Sequence, residues 1–268
     1  MRSDETPRPR PGILVRAIAW TALILLYLPL LSAVVVSFIE GDRANGSIHY
    51  GFGAYQRLIE NKSLLEGLVL SVEIGLLVTV ISVVLGTVLA LGLERVQFRG
   101  KAIFDRLMML PLVVPELVYG LSLLVWFVAL RVTLGRVSIV LAHVTFCLTY
   151  VVMTIRSRLK EYDRTIEEAA EDLGATGTQI FWKVTLPLIA PGILSAALMA
   201  FTLSFDDFLI TYFTAGVGSD TLPVKIYAMI KFGINPEINA LSAVLFGGTL
   251  IAVFVGQMLM ARKPASNR

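Results

Sequence analysis

With 268 residues the chain has the length of one or two soluble domains, but 56% of them are hydrophobic and only 16% are charged, at a mean hydropathy of +0.77, which places it in the membrane class. The formal charge of +3 is small and no basic patch is concentrated enough for a nucleic-acid face. One cysteine, Cys147, excludes an intramolecular disulfide framework and a multi-cysteine metal site, and His49 and His143 lie too far apart for a zinc-type spacing.

Residues 1–12 form a polar tail in which Arg2, Arg8 and Arg10 interleave with Pro7, Pro9 and Pro11, a pattern for extended cytoplasmic chain. The apolar run from Ile13 to Phe38 is too long for a signal-peptide core and is followed by no convincing cleavage site, so it predicts a retained first transmembrane helix, kinked at Pro29. Residues 39–66 predict an outer segment, turn-rich through Gly41, Gly46, Gly51 and Gly53 and then amphipathic near Tyr55 to Leu65. The second span is Leu68 to Leu93, with Glu73 in its first turns as a snorkelling carboxylate. A basic connector of Arg95, Arg99, Lys101 and Arg106 leads into a third span, Leu107 to Leu130, where Pro111 and Pro115 predict a broken or bent backbone. A turn around Gly135 precedes the fourth span, Val137 to Ile155.

The longest polar interruption in the second half follows, Arg156 to Pro187. It carries two helix-start signatures. Thr165-x-x-Glu168 reads as a capping box, followed by Ile166, Ala169, Ala170 and Leu173 on one small apolar face, and Gly174 is placed to end that helix. Thr176-x-x-Gln179 reads as a second box, after which Ile180, Phe181, Trp182 and Val184 supply apolar surface until Pro187 closes the segment. Capping by itself is equally compatible with a surface loop of two helical turns.

Glu168-Ala169-Ala170, three residues, Gly174, nine residues, then Val184-x-Leu186-Pro187 resembles the E-A-A-x3-G-x9-I-x-L-P loop of binding-protein-dependent ABC transporter permeases. Val184 stands for the usual isoleucine, a loss of one methylene on an apolar contact. The resemblance implies an all-α membrane protein of the type I importer, MetI-like fold, with six transmembrane helices. It also implies that the loop is cytoplasmic, that its short coupling helix docks on an ATPase subunit, and that Glu168, Ala169, Ala170, Gly174, Val184, Leu186 and Pro187 serve that coupling.

The fifth span is expected over Ala190 to Phe213, an outer loop rich in turn formers over Thr214 to Asn239, including Gly233, and the sixth span over Ala240 to Met260. Gly248, Ala252 and Gly256 give that last span a small-residue stripe. Six spans can be oriented by counting Lys and Arg, irrespective of any resemblance. With both termini inside, only Arg43, Arg57, Lys62, Arg131, Arg136, Lys225 and Lys231 of the 23 basic residues fall outside. This puts the Thr165 to Pro187 stretch in the cytoplasm. The chain is thus expected to divide into a tail (1–12), a transmembrane permease domain (13–262) with a coupling loop at 156–189, and a second tail (263–268).

Three carboxylates lie where hydrocarbon is expected: Glu116, just after Pro115, and the adjacent Asp206 and Asp207. A charge unpaired at that depth costs at least about 2.5–3.5 kcal/mol, so these groups must face protein or water. On a continuous helix the two aspartates would point about 100° apart, one into a pathway and the other to a neighbouring helix. The alternative is that all are structural, with partners such as Thr202, Ser204, His143 or Tyr212. His143 itself reads either as a titrating group beside the acids or as a hydrogen-bonded packing residue. Three acids without a cation at that depth favour a cationic cargo. Tyr119, Trp126, Phe205 and Tyr212 could stack on an alkylammonium chain or simply meet lipid.

The stretch L-S-F-D-D-F-L-I-T-Y-F-T-A-G at 203–216, with Thr221-Leu222-Pro223, Lys225-Ile226-Tyr227 and Asn235-Pro236-Glu237-Ile238-Asn239-Ala240, resembles the second permease subunit of spermidine and putrescine ABC importers. Pro115-Glu116 stands where those permeases show Pro-Asp. The resemblance implies a bacterial inner-membrane subunit that moves polyamines or other amino-containing solutes, with Glu116, Asp206, Asp207, Tyr119, Phe205 and Tyr212 along the pathway. It further implies a second permease subunit in a heterodimer, two ATPase subunits carrying ATP and Mg, and a periplasmic substrate-binding protein. The chain has no G-x-x-x-x-G-K-[ST] phosphate loop, so it is expected to be no enzyme and to hold no cofactor itself. A stand-alone proton- or cation-coupled transporter is the competing class, and it would show internal repeats with matching broken helices, which the sequence lacks.

Overall fold

The computed structural model describes residues 12–40, 49–161, 163–232 and 236–261. The predicted extended tail with the arginines and prolines of residues 1–11, the expected turn glycines Gly41, Gly46 and Gly233, Asn235, and the predicted second tail lie outside the described residues. So do the side chains of Ala252 and Gly256 in the small-residue stripe.

The chain is almost wholly helical and separates into two compact units, residues 1–62 with 229–268, and residues 63–228. In the first unit, α1 (Ile13–Ser37) is an unbroken helix with Pro29 inside it, and it packs along the last helix of the chain. A short antiparallel hairpin follows, β1 (Ile39–Glu40) against β2 (His49–Tyr50), and then α2 (Gly53–Glu60). Phe38, Phe52 and Tyr55 cluster there with ring centroids 5.2–6.0 Å apart, and the Tyr55 hydroxyl meets Ser37 Oγ at 2.7 Å. Apolar and aromatic groups thus pin the hairpin to the end of α1.

The second unit holds the polar breaks. Its first helix, α3 (Lys62–Arg95), is longer than the span predicted within it, and Glu73 finds a partner in Arg136 at 3.5 Å. After α4 (Lys101–Met108) and α5 (Leu110–Val113) the chain turns sharply into α6 (Glu116–Ala129), a bend of 109°. Pro115 is the cause: a residue before proline is pushed out of the helical region, and Val114 has φ −72° and ψ 128°. Pro111 sits in the first turn of α5, where its missing N–H costs nothing, so it does not break the chain.

The buried centre of this unit is α7 (Arg136–Glu161), whose Ile139, Ala142, Cys147, Val151 and Ile155 are almost fully covered. Cys147 is a packing residue, as expected from its neighbours. Along α7 runs α10 (Leu186–Phe205), presenting Ile189, Ala196 and Ala200. Small residues at this seam let the two backbones approach. The chain between α7 and α10 forms α8 (Thr165–Asp172), α9 (Gly177–Ile180) and a π turn over Phe181–Thr185.

Four expectations change here. Thr165 does not cap α8: it is the first helical residue, and its N–H donates to Asp163 Oδ1 at 3.0 Å. Pro187 does not close the polar segment, because the helix continues from Gly177 to Phe205; the wider π turn ahead of it tolerates a residue that cannot donate to the preceding turn. The fifth span is not continuous to Phe213. It stops at Phe205 and resumes as α11 (Leu209–Thr214), leaving Asp206, Asp207 and Phe208 in the gap. The segment after it is not only loop, since α12 (Leu222–Phe232) occupies its middle.

The last helix, α13 (Pro236–Ala261), belongs to the first unit and covers the range read as the sixth span. Among the described residues, four helices are long and apolar enough to cross a membrane, and the bent α4–α6 segment makes a fifth; the apolar helical run at Pro236–Ile251 is shorter. A chain with this many apolar helices is a multi-pass membrane protein.

Candidate functional site

The polar loop is built by three separate devices. Asp163 and Arg164 start α8, whose N–H groups on Glu167 and Glu168 donate back to the Arg164 carbonyl. Gly174 ends it at φ +84°: the Gly174 N–H reaches the Glu171 carbonyl at 2.8 Å and the Ala175 N–H reaches the Ala170 carbonyl at 3.0 Å. This is the paired Schellman pattern, and it requires the left-handed backbone that glycine adopts without strain. Thr176 and Gln179 then make the predicted reciprocal capping box of α9. No residue of α8 is buried; Glu168 and Ala169 face outward, and Ile166 and Leu173 stand exposed. Val184 and Leu186 are half-buried and Pro187 is exposed.

The second polar centre lies at the gap between α10 and α11. Asp207 is sealed inside it: its carboxylate accepts from the Thr211 N–H at 2.8 Å, the Thr211 hydroxyl at 3.0 Å and the Ile210 N–H at 3.4 Å. His143 reaches the same place from α7, its Nε2 3.3 Å from Asp207 Oδ1 and its Nδ1 2.8 Å from Ser204 Oγ. Asp206, next along the chain, is exposed. Glu116, at the first position of α6, is exposed too, and its charge interacts with those of both aspartates. The structure therefore brings all three predicted acids to one neighbourhood.

Gly120 is what allows it. A β-carbon there would stand 3.1–3.2 Å from the Phe213 ring, Ile210 Cα and the Leu209 carbonyl, so α6 and α11 touch backbone to backbone one turn from Glu116.

The description "binding-protein-dependent transport system inner membrane component" fits the family whose sequence profile matches residues 82–261. The chain belongs to this family. The permease is 41% identical over 256 residues to the putrescine transport system permease protein PotI of Escherichia coli K12, with 91% of each chain covered. It is 36% identical over 259 residues to the spermidine/putrescine transport system permease protein PotC of the same strain, covering 96% of this chain and 97% of that one. Its fold matches a crystal structure of a bacterial ABC transporter involved in the import of the acidic polysaccharide alginate, at a TM-score of 0.72 and 16% identity, over 94% of this chain and 96% of that one.

Aromatic residues surround the permease's exposed acids unevenly. Tyr119 donates its hydroxyl to Thr145 at 2.9 Å and leads a ring series through Phe146, at 5.7 Å, to Tyr150, whose phenol interacts electrostatically with Glu116. Tyr212 is half exposed and sits 5.4 Å from Phe208, which lies 4.6 Å from Tyr227. Phe205 is stacked on Phe201, one turn back on its own helix.

Sequence reasoning did not find Tyr150 or Tyr227 near the acids, nor Arg95 beside the polar loop. Each meets its site across a large sequence separation, and no local pattern marks such a pairing.

Proposed function

We propose that this permease subunit imports putrescine, spermidine or a related cationic amine, receiving it from a periplasmic binding protein and releasing it into the cytoplasm. In this reading six helices span a bacterial inner membrane with both termini inside, and the 156–189 loop faces an ATPase. A sister permease chain completes the pathway, and two ATPase subunits bind ATP and Mg and supply the energy.

The observation that carries the cargo class is the pair Glu116 and Asp206. Both are exposed at helix breaks, and among the described residues neither has a cationic partner. An uncompensated carboxylate at membrane depth costs at least about 2.5–3.5 kcal/mol unless water or a counter-charge reaches it. An ammonium group supplies that counter-charge, and the methylene chain between two ammonium groups can lie on Tyr119, Tyr150 and Tyr212. Asp207 is assigned a different part, because its oxygens are committed to Thr211, Ile210 and His143. The similarity to PotI and PotC supports the same cargo class.

The deciding experiment is uptake of labelled putrescine and spermidine by the complete importer in proteoliposomes. Glu116→Gln and Asp206→Asn should each weaken uptake, and uptake equal to wild type in both variants would overturn the cargo assignment. Gradient-driven flux by the chain alone, with no ATPase present, would overturn the importer reading altogether.

A further inference from the structure

Two adjacent glutamates in the first turn of α8 have different surroundings. Glu168 faces outward, whereas Glu167 turns back into the protein with its side chain only 18% exposed. There Glu167 Oε1 accepts from both Arg95 Nη2, at the end of α3, and the Thr185 hydroxyl, at the end of the π turn. Arg95 Nη2 also donates to Thr185 Oγ1 at 3.1 Å, which closes a triangle. The donors and acceptors balance: Thr185 gives its one hydroxyl proton to Glu167 and accepts from the guanidinium. Thr185 is fully buried, so nothing else can replace these partners without leaving a polar group unsatisfied. A second tie runs beside it, from Arg164 Nη2 to the Glu94 carbonyl at 2.8 Å.

We infer that Arg95, Glu167 and Thr185 form a three-way strut that passes displacement of α8 into two spans at once, the inner end of α3 and the entry to α10. The inference rests on reading α8 as the element that faces an ATPase. With no buried residue, α8 has little apolar packing to hold it, and a charge-assisted hydrogen-bonded triangle is far stiffer against shear than two exposed apolar side chains. Its other corner is well chosen for transmission. Thr185 ends the π turn, immediately before Leu186 and Pro187, and from there α10 runs without interruption to Phe205 and the Asp206 gap. Motion at Glu167 therefore has a continuous helical path to the acid site, and a parallel one along α3. These three are positioning residues: they contact neither cargo nor nucleotide.

The test is the number of ATP molecules hydrolysed per amine imported, measured in proteoliposomes holding the complete complex and its loaded binding protein. Glu167→Gln, Arg95→Gln and Thr185→Val should assemble, as judged by size exclusion, yet raise that ratio roughly 5-fold or more, within the range of ordinary coupling energies. The exchange Arg95→Glu with Glu167→Arg keeps one cation, one carboxylate and a hydroxyl that can serve either, so it should recover most of the loss. If Arg95→Gln fails to assemble, the nearly isosteric Glu167→Gln carries the test. An unchanged ratio in assembled single variants, or an exchange no better than the singles, overturns the strut while leaving the permease reading intact. Absence of stimulated hydrolysis in the wild-type complex would instead remove that reading, and the strut with it.

Discussion

His143 Nε2 and Asp207 Oδ1 lie 3.3 Å apart at the interruption of the fifth span, both side chains at least 96% shielded from solvent. Their partners assign the histidine tautomer. Thr211 gives its hydroxyl proton to Asp207 and so accepts from His143 Nε2 at 2.9 Å, which leaves Nδ1 to accept from Ser204. The group ties α7 to both sides of the break, and every member is satisfied. Removing either partner strands a buried polar group, at about 1–3 kcal/mol or more for a charged one. Asp207→Ala and His143→Ala should therefore lower the melting temperature of the purified complex, whereas Asp206→Asn should leave it unchanged and reduce uptake. Wild-type melting in Asp207→Ala would show that the network does not hold the break.

Gly174 and Glu168 make a second contrast. A residue with a side chain at φ +84° costs roughly 1–2 kcal/mol, although the space around Gly174 is open. Gly174→Asp should thus distort the end of α8 without a clash and without impairing insertion, and Glu168→Lys should reverse the charge on its outward face. Both should lower amine uptake far more than ATP hydrolysis. Substrate-stimulated hydrolysis and uptake at wild-type levels in either variant would count against coupling through this helix.

At Gly120 the constraint is space rather than backbone angle. An added methyl must displace the Phe213 ring or the backbone at Leu209 and Ile210, so Gly120→Ala should destabilise and Gly120→Leu should do so by about 1–3 kcal/mol, the usual cost of overpacking. Because the same contact holds the start of α6, with Glu116, against α11 beside the aspartates, uptake should fall in parallel with stability. The two quantities can be followed by thermal unfolding and by transport in the same preparation.

What could be read from the residues divides along a physical line. Features fixed within one turn of chain were legible: the bend at Pro115, the stop at Gly174, the capping box of Thr176 and Gln179, and the burial of Cys147. The break at Asp206 was not, because an apolar run with two polar residues reads as one span; Asp207 accepts from the first N–H groups of α11, and the partner that completes its group, His143, comes from α7, far back in the sequence. Likewise the gathering of Glu116 with the aspartates follows from Gly120, whose role depends on a helix about 90 residues later in the sequence, a separation set by the fold.

Thr165 and Thr176 have the same sequence signature and different structures, which yields a sharp final test. Thr176 Oγ1 accepts from the Gln179 N–H while the Gln179 side chain accepts from the Thr176 N–H. Thr165 has no such bond; Asp163 receives its N–H instead. Thr176→Ala should therefore cost about 0.5–2 kcal/mol of local helix stability, the usual worth of an N-cap, while Thr165→Ala should be close to neutral. Amide hydrogen exchange across residues 163–186 reads both. Faster exchange at Ile180 and its neighbours in Thr176→Ala, with no change at Glu167 and Glu168 in Thr165→Ala, is the expected result. Asp163→Ala completes the set, since α8 should fray in that variant if Asp163 holds its first turn.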